Sequence, residues 1–81
     1  MDSIRLHILS PEGTLLDAQV ELVTLPGGKA PFTVLKDHAP IVSSLSEGEI
    51  RYVSEGKEER IGIREGFVRV GDNTVTACVE V

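Results

Sequence analysis

"EIRYVSEGKEERIGI", residues 49–63, decides the fold. Ile50 and Tyr52 alternate with Arg51 and Val53, polar Ser54 to Lys57 interrupt the run, and alternation resumes through "EERIGI". A period of two places successive side chains on opposite faces of an extended chain, so each half predicts a strand with one buried face. Glu55 and Gly56 form the tip, where glycine supplies the positive φ that a tight hairpin needs.

The same period extends in both directions. In "SIRLHIL" Ile4, Leu6 and Ile8 share a face opposite Arg5 and His7. "AQVELVTL" reads as one strand with Val20, Leu22 and Thr24 against Glu21, Val23 and Leu25, and "FVRVGDNTVTACVEV" continues the pattern to Val81. Cys78, between Val75 and Val79, reads as a small buried hydrophobe. Turn formers separate the runs: "SPEG" at 10–13, "LPGGKAP" at 25–31, "KDHAP" at 36–40, "SEG" at 46–48, "REG" at 64–66 and "GDN" at 71–73. Strands at roughly ten-residue intervals, with no window of helical periodicity, predict an all-β sandwich or barrel.

Composition narrows the function. At 81 residues the chain forms one domain, residues 1–81, without room for a second core. Eight basic against thirteen acidic residues give a net charge of −5, which disfavours nucleic acid and anionic lipid as partners. One cysteine makes no internal disulfide and no ordinary zinc site, so the chain reads as intracellular, with no metal or cofactor expected. The first residues lack a signal-peptide pattern, and no run reaches the ~18 to 20 apolar residues that span a bilayer. A soluble protein without direct membrane insertion is expected.

Plain turns account for the segments that superficially resemble catalytic motifs. Ser43 or Ser44 with His38 and Asp37 could compose a triad only if the fold brought them together, and no G-x-S-x-G elbow is present. His38 is expected to brace its own turn through Asp37 or a backbone carbonyl. "LPGGKAP" lacks phosphate-loop spacing, and "GDNT" reads as a type I or I′ turn. Lys57 beside a hairpin tip in a small acidic β domain keeps one alternative open, a biotinyl- or lipoyl-like carrier, although Gly56 and Glu58 flank it without a hydrophobe.

The order and spacing of Ser10-Pro11-Glu12-Gly13, Leu25-Pro26-Gly27, His38-Ala39-Pro40, Gly48-Glu49-Ile50 and Gly66-Phe67-Val68 through Asn73-Thr74-Val75-Thr76 carry a resemblance over nearly the whole chain. It resembles the epsilon subunit of F-type ATP synthases, called delta in mitochondria. The resemblance implies a flattened β-sandwich of about ten short antiparallel strands. It further implies a non-catalytic rotor element of the central stalk, peripheral on the cytoplasmic face of the bacterial plasma (inner) membrane. There it would bind the gamma subunit, seat it on the c-ring loops, and meet the alpha/beta catalytic hexamer only indirectly.

By the same resemblance Gly27, Lys29, Pro31 and Phe32, with Asp37, His38, Ala39 and Pro40, lie together at the end facing the c-ring and gamma. Ser10 and Ser43 face gamma. The chain departs from the family with Ala30 and Thr33 where glycine is common, and Lys36 where proline is. Most bacterial relatives continue into a two-helix hairpin that can inhibit hydrolysis; a chain complete at Val81 would lack that device.

Overall fold

The computed structural model describes residues 3–81, leaving the first two positions of the expected 1–81 domain outside the described residues. Among the described residues nine strands follow in order: β1 (Ile4–Ser10), β2 (Gly13–Val20), β3 (Leu22–Leu25), β4 (Phe32–Val34), β5 (Ile41–Leu45), β6 (Gly48–Ser54), β7 (Lys57–Ile63), β8 (Glu65–Gly71) and β9 (Thr74–Glu80). They form a five-stranded sheet, β2-β1-β9-β8-β5, packed on a four-stranded sheet, β4-β3-β6-β7. The expected all-β sandwich is the observed one, with nine strands for the expected ten or so.

Alternation decides what is buried. Ile4, Leu6 and Ile8 from β1, Val75, Ala77 and Val79 from β9, Val68 and Val70 from β8, and Val23, Leu25 and Ile50 from the facing sheet form one apolar layer. Among the described residues that layer holds no buried polar or charged side chain. Each of the larger aliphatics contributes about 1.5–3 kcal/mol by leaving water, which is how so short a chain offsets its conformational entropy.

Two corners depart from the sequence reading. The run "AQVELVTL" is not one strand: β2 ends at Val20, Glu21 bends, and β3 joins the other sheet. The bend reverses the phase, so Val20, Val23 and Leu25 point inward and Leu22 and Thr24 do not. A period of two cannot reveal such a switch, because both sides of the corner alternate correctly. "REG" likewise contracts to a one-residue corner at Arg64 between β7 and β8. At each corner the backbone N–H already bonds the sheet the chain is entering, Glu21 to the Val53 carbonyl and Arg64 to the Glu80 carbonyl, both at 2.7 Å.

The remaining pairings are antiparallel except one. β1 and β9, near the two chain ends, run parallel with Leu6 beside Val75 and Ile8 beside Ala77. Chain ends meet without a connecting turn, so local sequence does not set this direction. Of the three two-residue hairpin tips, Pro11 and Glu12 between β1 and β2 lack positive φ, whereas the other two carry it at both central residues, Glu55 and Gly56 at 53° and 78°, Asp72 and Asn73 at 50° and 57°. That is the type I′ pattern, whose twist matches the flanking strands.

Candidate functional site

Structure divides the expected site residues into two groups. The chain leaves the Gly27–Phe32 loop through β4, only three residues long, turns at residues 35–40, and returns along β5. The loop and the turn therefore sit at opposite ends of β5. Gly27 bridges Leu45, the Gly28 N–H bonds the Ser44 carbonyl at 3.1 Å, and the Ser46 N–H bonds the Pro26 carbonyl at 2.8 Å. These contacts stitch the two sheets together at one end of the sandwich.

Asp37 to Pro40 belong to the other end, beside the β8–β9 turn. The Asp37 N–H donates to Asn73 Oδ1 at 2.6 Å, and Asn73 Nδ2 returns a bond to the Asp37 carboxylate at 3.3 Å. The expectation that residues 27–32 and 37–40 share one end is thus corrected; the return of the chain along β5 separates them. His38 does brace its turn. Its N–H bonds the Leu35 carbonyl at 3.1 Å, and Nδ1 lies 2.7 Å from the Ala39 carbonyl, an acceptor that requires the proton on Nδ1. Asp37, at φ 65°, occupies the left-handed position of that turn.

No hydrogen bond links the residues of the imagined triad. Ser43 Oγ donates to the Ser44 carbonyl at 2.9 Å, His38 to Ala39, and Asp37 to Asn73. Ser10 is likewise held within its own turn, donating to the Gly13 carbonyl at 3.2 Å and accepting from the Glu12 N–H at 3.3 Å. Lys57 is the exposed first residue of β7, opposite Ser54.

The first group does converge. Gly27, Lys29, Pro31 and Phe32 share a shallow hollow of about 620 Å³ with Val42 and Ser43. Phe32 packs against the core while its ring lies 3.0 Å from where a Gly27 Cβ would stand, and such a Cβ would run into the Ala30 carbonyl. Glycine at 27 is required by that close approach.

Sequence reading missed the neighbouring surface. Cys78 is not buried in the core; Val75, Ala77 and Val79 take the inner face, which sends Cys78 outward. Register then places Leu9, Cys78, Phe67 and Ser44 in one row across four strands of the outer face. Phe67 is 56% exposed and Val42, one row on, 74% exposed. A second hollow, about 640 Å³, opens over the row and is lined by Leu9, Pro11, Phe67 and Cys78 with Glu65 and Glu80. The missed signal was available in "FVRV" and "TACV", where apolar residues occupy both phases of the alternation.

Farther along this face the surface becomes polar. Arg5 donates two hydrogen bonds to Asp17, at 2.9 and 2.8 Å, and that bonding holds the Asp17 carboxyl below the usual carboxylate range. His7 faces Thr14, with Nε2 and Oγ1 3.4 Å apart.

Comparison with known proteins agrees with this architecture. Residues 3–81 match the family model described as ATP synthase, Delta/Epsilon chain, beta-sandwich domain. The chain is 48% identical over 75 residues to the ATP synthase epsilon chain of Desulfitobacterium hafniense, covering 93% of this chain and 57% of that one. It is 42% identical to the epsilon chain of Nitratiruptor sp., covering 99% and 63%. Among solved structures, a chain of the Euglena gracilis mitochondrial ATP synthase (OSCP/F1/c-ring, rotational state 1) superposes with a TM-score of 0.89 at 25% identity, over 95% of this chain and 50% of its own length. The chain thus spans about three-fifths of the length of these curated relatives. Sandwich, turn spacing and family match agree: the chain belongs to the delta/epsilon family of ATP synthase subunits and comprises its β-sandwich domain.

Proposed function

We propose that this chain is a non-catalytic subunit of the central stalk of an F-type ATP synthase, gripping the gamma subunit and seating it on the c-ring. The observation that carries the proposal is the outward apolar row in which half-buried Leu9 and Cys78 lead to exposed Phe67, with exposed Val42 one row on. Contiguous exposed apolar area of this kind marks an interaction surface.

The row runs from the Ser10 turn toward Ser43, Ser44 and the Gly27–Phe32 loop, so the gamma-facing and ring-facing residues meet at one end of the sandwich. Gamma covers the row, and the loop with Lys29 faces the ring. The Asp37–Pro40 turn braces the far end.

Stiffness is what such a foot needs. Moving one charge through 100 mV yields about 2.3 kcal/mol, and several transfers must be stored without slippage between ring and shaft. Sheets stitched at Glu21, Gly27 and Arg64 resist shear between the two layers. The reading places the protein peripherally on the cytoplasmic face of the bacterial plasma membrane, with alpha and beta met indirectly.

The test is a tagged pull-down from detergent-solubilised membranes of the source organism. Recovery of gamma with alpha, beta and the c subunit is expected. Recovery of none of them, from membranes shown to hold an intact synthase, overturns the reading.

A further inference from the structure

The apolar row lies between two charged rows. On one side Glu65 and Glu80 stand directly opposite each other across β8 and β9, both exposed, at the rim of the larger hollow. Like charges directly opposite destabilise a sheet, and among the described residues neither carboxylate has an ion pair. On the other side the next row carries Arg69 opposite Thr76 and beside Val42. From Glu80 to Thr76 is four residues of β9, roughly 13 Å at ~3.3 Å per residue.

We infer that this face takes a segment of its partner with a fixed order of chemistry: a Lys or Arg over Glu65 and Glu80, an apolar side chain in the hollow against Phe67, and an Asp or Glu over Arg69. The inference deepens the gamma-binding reading and rests on it. The bound cation neutralises a repulsion that the free chain carries, so the charged rows fix the direction in which the segment lies as well as its position. Positions i, i+4 and i+8 of an α-helix span about 12 Å, as do i, i+2 and i+4 of a strand at about 13 Å.

The experiment titrates the labelled chain onto the alpha–beta–gamma complex of the same source stripped of this subunit, at low and high salt. Phe67→Ser and the charge reversal E65K/E80K are each expected to weaken binding about tenfold or more, and R69E about three- to tenfold, with the salt dependence reduced in both charge variants. Should E65K/E80K fail to fold, E65Q/E80Q serves in its place, with a loss of roughly threefold and a raised melting temperature as the repulsion disappears.

Wild-type affinity in both charge variants, alongside weakened F67S, would overturn the charged order and leave gamma binding intact. No binding by the wild-type chain would overturn both readings. Sedimentation of the chain alone supplies the last arm: a dimer abolished by F67S assigns the hollow to a second copy and sinks the inference.

Discussion

The two outer faces of the sandwich treat like charges differently. On the four-stranded sheet Arg51 lies opposite Arg60, and Glu49 lies 3.6 and 3.8 Å from the two guanidinium groups. Thr24 and Thr33 complete that face by bonding each other at 2.9 Å. On the five-stranded sheet Glu65 lies opposite Glu80 with no bridging cation among the described residues, next to exposed Phe67. One face satisfies itself, and the other leaves both charge and apolar area to be satisfied from outside. A surface finished internally is a wall; a surface left open is a site.

The comparison is broken most severely by testing inner against outer positions of one sheet. Leu6, fully buried, and Phe67, 56% exposed, occupy opposite faces of the five-stranded layer. Leu6→Ala should cost about 2–5 kcal/mol in urea unfolding, through lost transfer energy and the cavity left behind. Phe67→Ser should change stability by about 0.5 kcal/mol or less, as exposed positions do. A large loss in F67S would mean that the outer row belongs to the core and is no docking surface.

Gly66 probes the layer between the two. A Cβ there would run into the Cys78 carbonyl and come within 3.0 and 3.1 Å of Val79 atoms, and backbone cannot swing aside as a side chain can. Gly66→Ala should therefore cost about 1–3 kcal/mol and disturb the row above it. An unchanged urea midpoint would show that β8 and β9 are not held so closely.

Legibility in the sequence follows the same division. The β6–β7 hairpin was readable because alternation and the Glu55-Gly56 tip are local, and the Ser10 and Asp72-Asn73 turns for the same reason. The Glu21 corner was not, since the phase reversal appears only when the strand joins a different sheet. Cys78 was misplaced because apolar residues fill both phases of "TACV", and a sequence gives no priority between two apolar faces. Lys29 and Asp37 were expected at one end only through the family resemblance; the return of β5 puts them at opposite ends. Local chemistry announces turns, while placing them at one end or the other depends on long-range pairing.

Asn73 sharpens the contrast between the ends. It holds φ 57° and exchanges two hydrogen bonds with Asp37. Asn73→Ala should cost about 1–3 kcal/mol by losing both bonds and straining the turn. Asn73→Gly, which tolerates the backbone, should recover part of that loss. Binding to gamma should be unchanged in both variants, whose substitution lies far from the Gly27–Phe32 end. Weakened binding in both would return the Asp37–Pro40 turn to the interface.

The smallest effect concerns the polar half of the open face. Arg5 bonds the Asp17 carboxylate and so holds its folded-state pKa below the usual carboxylate range. A carboxylate with a depressed folded value contributes stability above its unfolded value of about 3.9, and that contribution is lost as pH falls through the folded value. Wild type should therefore melt slightly higher than Asp17→Asn near neutrality, with the gap closing below about pH 4. Both partners are well exposed, which keeps the gap small and makes added salt shrink it. A gap that persists unchanged in acid would assign Asp17 a packing role in place of a charge role, and would make this half of the face as closed as the Glu49 side of the other sheet.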